Sequence, residues 1–510
     1  MSLRSISALP TEVLLRIFHQ LDICSLIQCQ GVCHVWHALI RDAADLQYKI
    51  ELVASGLPER LIPSSIALPD RPHFLRQHQR AWRNLEHADR LSLPGRGWQE
   101  TWRNKSIFRD GIVAQLDGVT KSLHVVQLPS QLLHVERKEW VFPMPDDICG
   151  FDIDPFQDLL VLVTESSSHD YVDELVMRVH LHSLRTGREH LAAKQFQIRI
   201  ALHDRIWKVD VNVRHDILAL WIAEYDDMVY GRLFVWDWRT GESKLQYPGS
   251  FKICVSIDGF AVLPNNSVLV LSYADVESPV LLLFDTTCSR QIDDVDQMLA
   301  NTNFLIPSCS PKGIPEEISM EYQSSEGADG LIIISLYSRV TASFNTPFHK
   351  MTVYIPLSTL TSVSAASSSR RRLIPWHEWG PLGTHATCST SRLFDARQYP
   401  SSRSRVAGLR AGELQGPVLR IRDFNPLRVG RARCEEIQEG VEISYSGDVP
   451  AGFWGEVAIS THLPCLLMDI ELPDDLQVDG SWDCSISEYG VLLIRSESLA
   501  NAEELVWLGF

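Results

Sequence analysis

Three groups of side chains in this chain are of types that do chemistry. Acids stand in close pairs at Asp152 with Asp154, Asp226 with Asp227 and Asp474 with Asp475. Paired carboxylates are what glycoside hydrolysis requires, but each of these pairs sits among turn residues, where acids are ordinarily solvated. Cys24, Cys29, Cys33, His34 and His37 form the second group. Thiolate and imidazole suit zinc, yet these spacings match no tetrahedral site, and no Cys-x-x-Cys pair occurs anywhere in the chain. The third group is basic. Residues 370–433 hold thirteen arginines, no lysine and four acids, a local excess of nine positive charges led by Arg370, Arg371 and Arg372. Guanidinium forks suit phosphate or carboxylate recognition; a solvated loop or a nuclear address is the plainer alternative. There is no Gly-x-Ser-x-Gly elbow and no phosphate-binding loop; Gly95-Arg96-Gly97 reads as a turn. The residues therefore point to binding, with no catalytic centre, metal or other cofactor expected.

The composition sets bounds on what could position such residues. The chain has 510 residues, 47 basic against 64 acidic, a net charge of −17 and 45% hydrophobic residues. The acidic balance argues against a nucleic-acid partner. No apolar run reaches the ~18 residues of a membrane helix, and a membrane partner is not expected. The N-terminus lacks the pattern of a secretory signal, and eleven scattered cysteines read as thiols. A cytoplasmic or nuclear location follows as the expectation.

The first fifty residues read as helical. Pro10 suits a first helical position, and Val13, Leu14, Ile17, Phe18 and Leu21 form one apolar stripe behind it. Asp22 is a natural N-cap for a second helix with Ile23, Leu26 and Ile27. Gly31 punctuates, and Val32, Trp36, Leu39 and Ile40 suggest a third. Three helices this short bury little surface, so a partner should supply the missing core. Residues 51–106 are broken at Pro58, Pro63 and Pro69. Phe74, Leu75, His78, Trp82 and Leu85 then predict a helix from about Pro72 to Ala88, making a stiff connector.

The stretch Leu9-Pro10, Glu12, Ile17-Phe18, Leu21-Asp22 and Val32-Cys33-x-x-Trp36 resembles an F-box, with Leu46-Gln47-Tyr48 departing from the family's frequent tryptophan beyond the third helix. The resemblance implies docking on the adaptor Skp1 and, through it, on a cullin-RING ubiquitin ligase. It implies adaptor contacts at Leu9, Pro10, Ile17, Leu21, Leu26, Val32, Cys33 and Trp36. About half of these should face the adaptor and the rest should form core, with Leu9 and Pro10 the best placed.

From residue 107 onward the pattern is strands. Seven short apolar runs recur, at 111–114, 158–163, 216–220, 267–272, 330–335, 405–409 and 490–494. Each is followed by an alternating strand, at 123–128, 179–184, 233–238, 281–285, 352–356, 418–423 and 505–508. Two of these share the turn Arg-Thr-Gly, at 185–187 and 239–241, and Val235-Trp236-Asp237 resembles the closing strand of a WD-type blade. Repeated strand pairs stacked radially give a β-propeller. Seven blades would average about 58 residues, above the ~40–45 of a WD40 unit. The excess would be loops such as 166–173, 292–313 and 358–372, the last with a Ser-rich run at 362–369.

The expected fold is thus α+β and multidomain: an F-box at 1–50, a helical connector at 51–106, and an all-β WD40-like propeller at 107–510 with seven blades, six or eight being the alternatives. Strands near the C-terminus should complete the unit at 112–128. By resemblance the chain is a substrate receptor of an SCF ubiquitin ligase, non-catalytic itself, whose propeller binds a protein substrate of acidic or phosphorylated character. Arg370, Arg371, Arg372, Trp376 and Trp379, the two tryptophans in an exposed Pro- and Gly-bounded loop, are the candidate substrate contacts. The rival readings are a scaffold that binds Skp1 outside a ligase, and a propeller hydrolase or glycan-binding protein with a chance F-box match.

Overall fold

In the computed structural model, residues 9–84, 89–94 and most of 106–509 are described; the longest stretches outside the description are 95–105, 167–175, 292–301, 308–316, 340–347 and 392–404. Four helices open the chain: α1 (Thr11–Gln20), α2 (Ile23–Gln30), α3 (His34–Asp42) and α4 (Ala44–Ser55). Pro10 stands one place earlier than expected, as the extended residue before α1. Asp22 caps α2, its carboxylate accepting the Ser25 N–H at 2.9 Å and the Ser25 hydroxyl at 2.6 Å. Gly56 ends α4 at φ +71°, a conformation glycine adopts without strain. Leu14, Phe18, Leu26, Ile40, Leu46 and Ile50 form a small core, and Trp36 meets Phe18 edge-on at 5.4 Å.

Helix α4 crosses the expected boundary at residue 50. Leu46 and Ile50 face the helical core, whereas Tyr48 and Leu52 pack with Leu57, Ile62, Phe74, Leu75 and Trp507 on the propeller side. Helix α5 (Arg71–Asn84) follows, with Phe74, Leu75, His78 and Trp82 all buried at the predicted spacing.

Seven blades, each built on four antiparallel strands, make the ring, at 106–143, 148–201, 206–251, 260–305, 317–391, 405–471 and 481–509, the last completed by the strand Asp89–Pro94; the third, fourth and sixth carry a fifth strand at the edge. Six of the apolar runs are second strands of their blades, buried on both faces. In the third blade, for example, every residue of Ile217–Glu224 is buried. The run at 405–409 is the exception, since Arg405–Ala407 is a first strand and Arg410–Gln415 the second. All seven alternating segments are third strands, and Val176–Ser183 alternates strictly between buried and half-buried residues.

Ring closure corrects two expectations. The first blade is complete in itself, from Ser106–Arg109 to Lys138–Pro143. The seventh is the one that needs help, and its missing edge comes from the stretch expected to be connector: Asp89–Pro94 pairs antiparallel with Glu504–Gly509. Trp507, fully buried, locks this seam by donating to the Pro129 carbonyl at 2.9 Å. The expected loop at 358–372 holds regular elements at both ends, residues 367–371 lying outside the described residues. It contains α6 (Leu357–Ala366) and a short strand, Arg372–Ile374, which adds in parallel to Thr302–Leu305 of the fourth blade.

Candidate adaptor face and its mounting on the propeller

Helix α1 turns two faces to different uses. Leu14 and Phe18, four residues apart, are buried; Pro10, Val13 and Ile17, on the other side of the same turns, are exposed. Leu9 is 39%, Val13 40% and Ile17 42% exposed, and beyond α2 Val32 is 62% and Val35 57% exposed. These are large apolar side chains left uncovered on a module with a minimal core. Leu15, Val35, Ala38 and Leu39 line an open groove of about 540 Å³ beside α3, with His34 and Asp42 at its edge.

The eight expected adaptor residues divide accordingly. Leu9, Pro10, Ile17 and Val32 are exposed, and Leu21, Cys33 and Trp36 are partly covered. Leu26 falls on the core side of the expected division, being 0% exposed at the centre of the helical core with no surface to offer. Val13 and Val35 belong to the exposed set although only Val13 had been placed on the apolar stripe. The Cys and His group disperses: Cys24, His34 and His37 are exposed, and Cys29 packs against the core.

A buried carboxylate holds this module to the ring. Glu51, near the end of α4, is 3% exposed in its side chain. Arg431 of α8 (Pro426–Ala432), in the sixth blade, grips it with both Nη atoms at 2.8 and 2.9 Å, and Arg76 of α5 adds a bond from Nε at 2.8 Å. Burial pushes the Glu51 pKa up, but hydrogen bonds and charge from Arg431, then Arg76, outweigh it and hold the carboxyl below its usual range. Around this clasp Asn425 donates to the Val53 carbonyl at 3.0 Å while its own oxygen caps α8. His78 bonds the Glu488 carbonyl at 3.0 Å, and the Arg60 guanidinium lies 3.2 Å over the Phe156 ring.

These contacts share one face of the ring. Glu488 and Phe156 lie in turns between first and second strands, and Asn425 and α8 lie between a third and a fourth. In an antiparallel blade those connections emerge together, and second-to-third connections emerge opposite. The helices therefore mount on one face. The second-to-third connections of the second to fifth blades, at 167–175, 225–230, 273–278 and 340–347, lie outside the described residues.

The remaining sequence candidates fall differently from expectation. Asp152 accepts from the Arg109 guanidinium at 2.9 Å and the Val213 N–H at 2.7 Å, tying three blades together. Asp154 accepts from the Phe156 and Gln157 amides of its own turn, so this pair is structural. Asp226, Asp227, Asp474 and Asp475 lie outside the described residues, as do Arg370 and Arg371. Arg372 enters the strand Arg372–Ile374, and its side chain is not described. Within the basic sector, Arg420 pairs with Asp469, Arg428 with Asp423 and Arg431 with Glu51, and Arg422 is buried, reaching the Tyr354 hydroxyl at 3.3 Å. Of the five arginines of this sector whose side chains are described, these four are engaged internally. Trp376 and Trp379 are in α7 (Trp376–Gly383), not in a loop. Trp379 is 3% exposed and donates to the Leu305 carbonyl at 3.2 Å, so it is unavailable to a partner. Trp376 stays half-exposed, its ring lying over Gly380, where a Cβ would come within 2.3 Å.

No described helix is long and apolar enough to cross a membrane. Residues 6–50 match the family described as F-box-like. Comparison with the curated proteins returns no match. Among solved structures, the WD40 domain of SCAP from fission yeast is 9% identical, with a TM-score of 0.34, over 82% of this chain and 98% of that one. The β-propeller domain of the Trilobed protease from Pyrococcus furiosus is also 9% identical, with a TM-score of 0.25, over 69% and 93%. The apocarotenoid oxygenase of Synechocystis is 11% identical, with a TM-score of 0.27, over 55% and 61%. At these scores the likenesses carry nothing about activity. The family match and the strand order of the ring identify the chain as an F-box-like domain followed by a seven-bladed β-propeller.

Proposed function

We propose that this protein is the substrate-receptor subunit of an SCF-type ubiquitin ligase, with Skp1 held by residues 9–50 and a protein substrate held by the propeller. The observation that carries the reading is the division of labour in the helices: α1 and the start of α3 leave Leu9, Val13, Ile17, Val32 and Val35 uncovered, while α4 is clasped to the ring through Glu51. An uncovered apolar face on an under-cored module gains stability when a partner covers it. A rigid mounting turns that docking into a fixed placement of cargo, so the chain works by proximity and performs no covalent chemistry itself. The cytoplasm or nucleus is its place of action.

The test is affinity capture from cells under proteasome inhibition, comparing the intact protein with one lacking residues 1–50. The reading expects Skp1 and a cullin on the intact protein only, and cargo that accumulates on the truncated one. Skp1 without cullin would replace it by the scaffold reading, and absence of Skp1 would remove both.

A further inference from the structure

Two insertions interrupt the regular four-stranded pattern, and they meet on the rim of the ring. One lies between the third and fourth strands of the fifth blade and contains α6, the strand Arg372–Ile374 and α7. The other lies at the same point of the sixth blade and contains α8 and a hairpin of Gly447–Val449 with Ile459–Thr461. The hairpin is fixed to the fifth blade. Thr461 Oγ1 accepts the Ala386 N–H at 2.8 Å, the His462 N–H donates to the Pro381 carbonyl at 2.7 Å, and Gly447 packs so closely on Ala386 that a Cβ would come within 2.2 Å of its carbonyl. Trp379 and Trp454 are buried beneath, donating to the carbonyls of Leu305 and Pro307.

On this built floor lies a groove of about 420 Å³ lined by Pro307, Trp376, Pro381 and residues 455–460. Val457 is 79% exposed, and Leu382 in the last turn of α7 is 80% exposed. Among the described lining residues the single ionisable side chain is Glu456, and Ser460 hydrogen-bonds the exposed carboxylate of Asp448. Aromatic and proline walls with an acidic border are complementary to an extended peptide that carries apolar side chains beside a cation. We propose that this groove is a substrate-docking site for a short extended segment with a Leu- or Pro-type apolar pair flanked by Arg or Lys. The proposal rests on the receptor reading above. It differs in sign from the acidic substrate expected from the sequence, in whose basic counterpart Arg420, Arg422, Arg428 and Arg431 are engaged within the fold.

The test is selection of a phage-displayed random 12-residue peptide library on the full-length protein purified with Skp1. Three variants run in parallel: Trp376→Ala, Val457→Asp and Glu456→Lys. The proposal expects enriched peptides with an apolar pair next to Arg or Lys. Their binding, read by fluorescence polarisation, should fall at least ~10-fold on Val457→Asp, and Glu456→Lys should shift the selection toward acidic flanks. Val457 and Glu456 are exposed, so those two variants report on docking even if Trp376→Ala perturbs the fold. No enrichment, or enriched peptides that bind all three variants as tightly as the wild type, would overturn the proposal. Skp1 retention is measured on the same preparations. Its absence from the wild type would count against the receptor reading and leave the peptide result standing.

Discussion

The helical module and the ring use apolar residues in opposite ways. In the ring they turn inward: second strands such as Ile217–Glu224 are wholly buried, and neighbouring blades share their cores. The module's own core has six buried side chains among the described residues, and Val32 and Val35 on its surface are more exposed than anything the ring's central strands present. The difference separates a self-sufficient scaffold from a surface that is finished by a partner. Between them stands α4, with one face in each core and the Glu51 clasp at the joint.

The largest expected effect tests the ring's self-sufficiency. Removing residues 1–94 takes away the closing strand Asp89–Pro94, whereas removing 1–50 leaves it. Thermal unfolding should show a cooperative ring transition for the shorter deletion and none for the longer; equal melting would show that closure does not matter. Next come two core truncations. Trp507→Ala should destabilise the ring by about 3–5 kcal/mol, and Leu26→Ala the module by about 2–5 kcal/mol. Hydrogen exchange should show the second loosening confined to residues 9–50. Spread of that loosening into the blades would mean that the two regions fold as one unit.

Glu51→Gln probes the joint. Breaking a buried ion pair can cost 3–5 kcal/mol, but both arginines keep water contact, so about 2 kcal/mol is expected. Because the folded carboxyl lies below its usual range, its contribution is present above the ordinary glutamate pKa and fades as pH falls through the lower folded value. The wild type and the variant should therefore converge in denaturant midpoint under acid conditions and differ at neutral pH. A gap that persists in acid would assign the role of Glu51 to packing. The smallest effects on stability are expected at exposed Val32 and in the arginine run 370–372. Val32→Asp and the triple Arg370–Arg372→Ala should each change stability by less than about 0.5 kcal/mol. Unchanged cargo capture by the triple variant would remove that segment from substrate binding.

Much of this architecture was readable in the sequence because it is locally encoded. The Asp22 cap, the Leu14 and Phe18 spacing and the Arg-Thr-Gly turns act within a few residues, and Gly187 and Gly241 do adopt the positive φ those turns need. Second and third strands were visible because burial makes them apolar or alternating. First strands hid behind polar residues such as Asp152, which serve bonds between blades. The closing strand Asp-Arg-Leu-Ser-Leu-Pro gives no local sign of a partner more than four hundred residues away. The Glu51–Arg431 clasp is equally non-local, so no spacing could have announced it. Trp376 and Trp379 were misplaced because Gly380 and Pro381 signal a break, whereas the glycine makes room for the Trp376 ring.

If the exposed face of the module is an adaptor-binding face, Skp1 docks directly on it. The direct measurement is the affinity of purified Skp1 for the full-length protein and for the double variant Val13→Asp, Ile17→Asp. The wild type should form a stable complex and the variant should bind at least ~100-fold more weakly, with the melting of the ring unchanged. A wild-type protein that fails to bind Skp1, or a variant that binds it equally well, would mean that this face does not bind the adaptor.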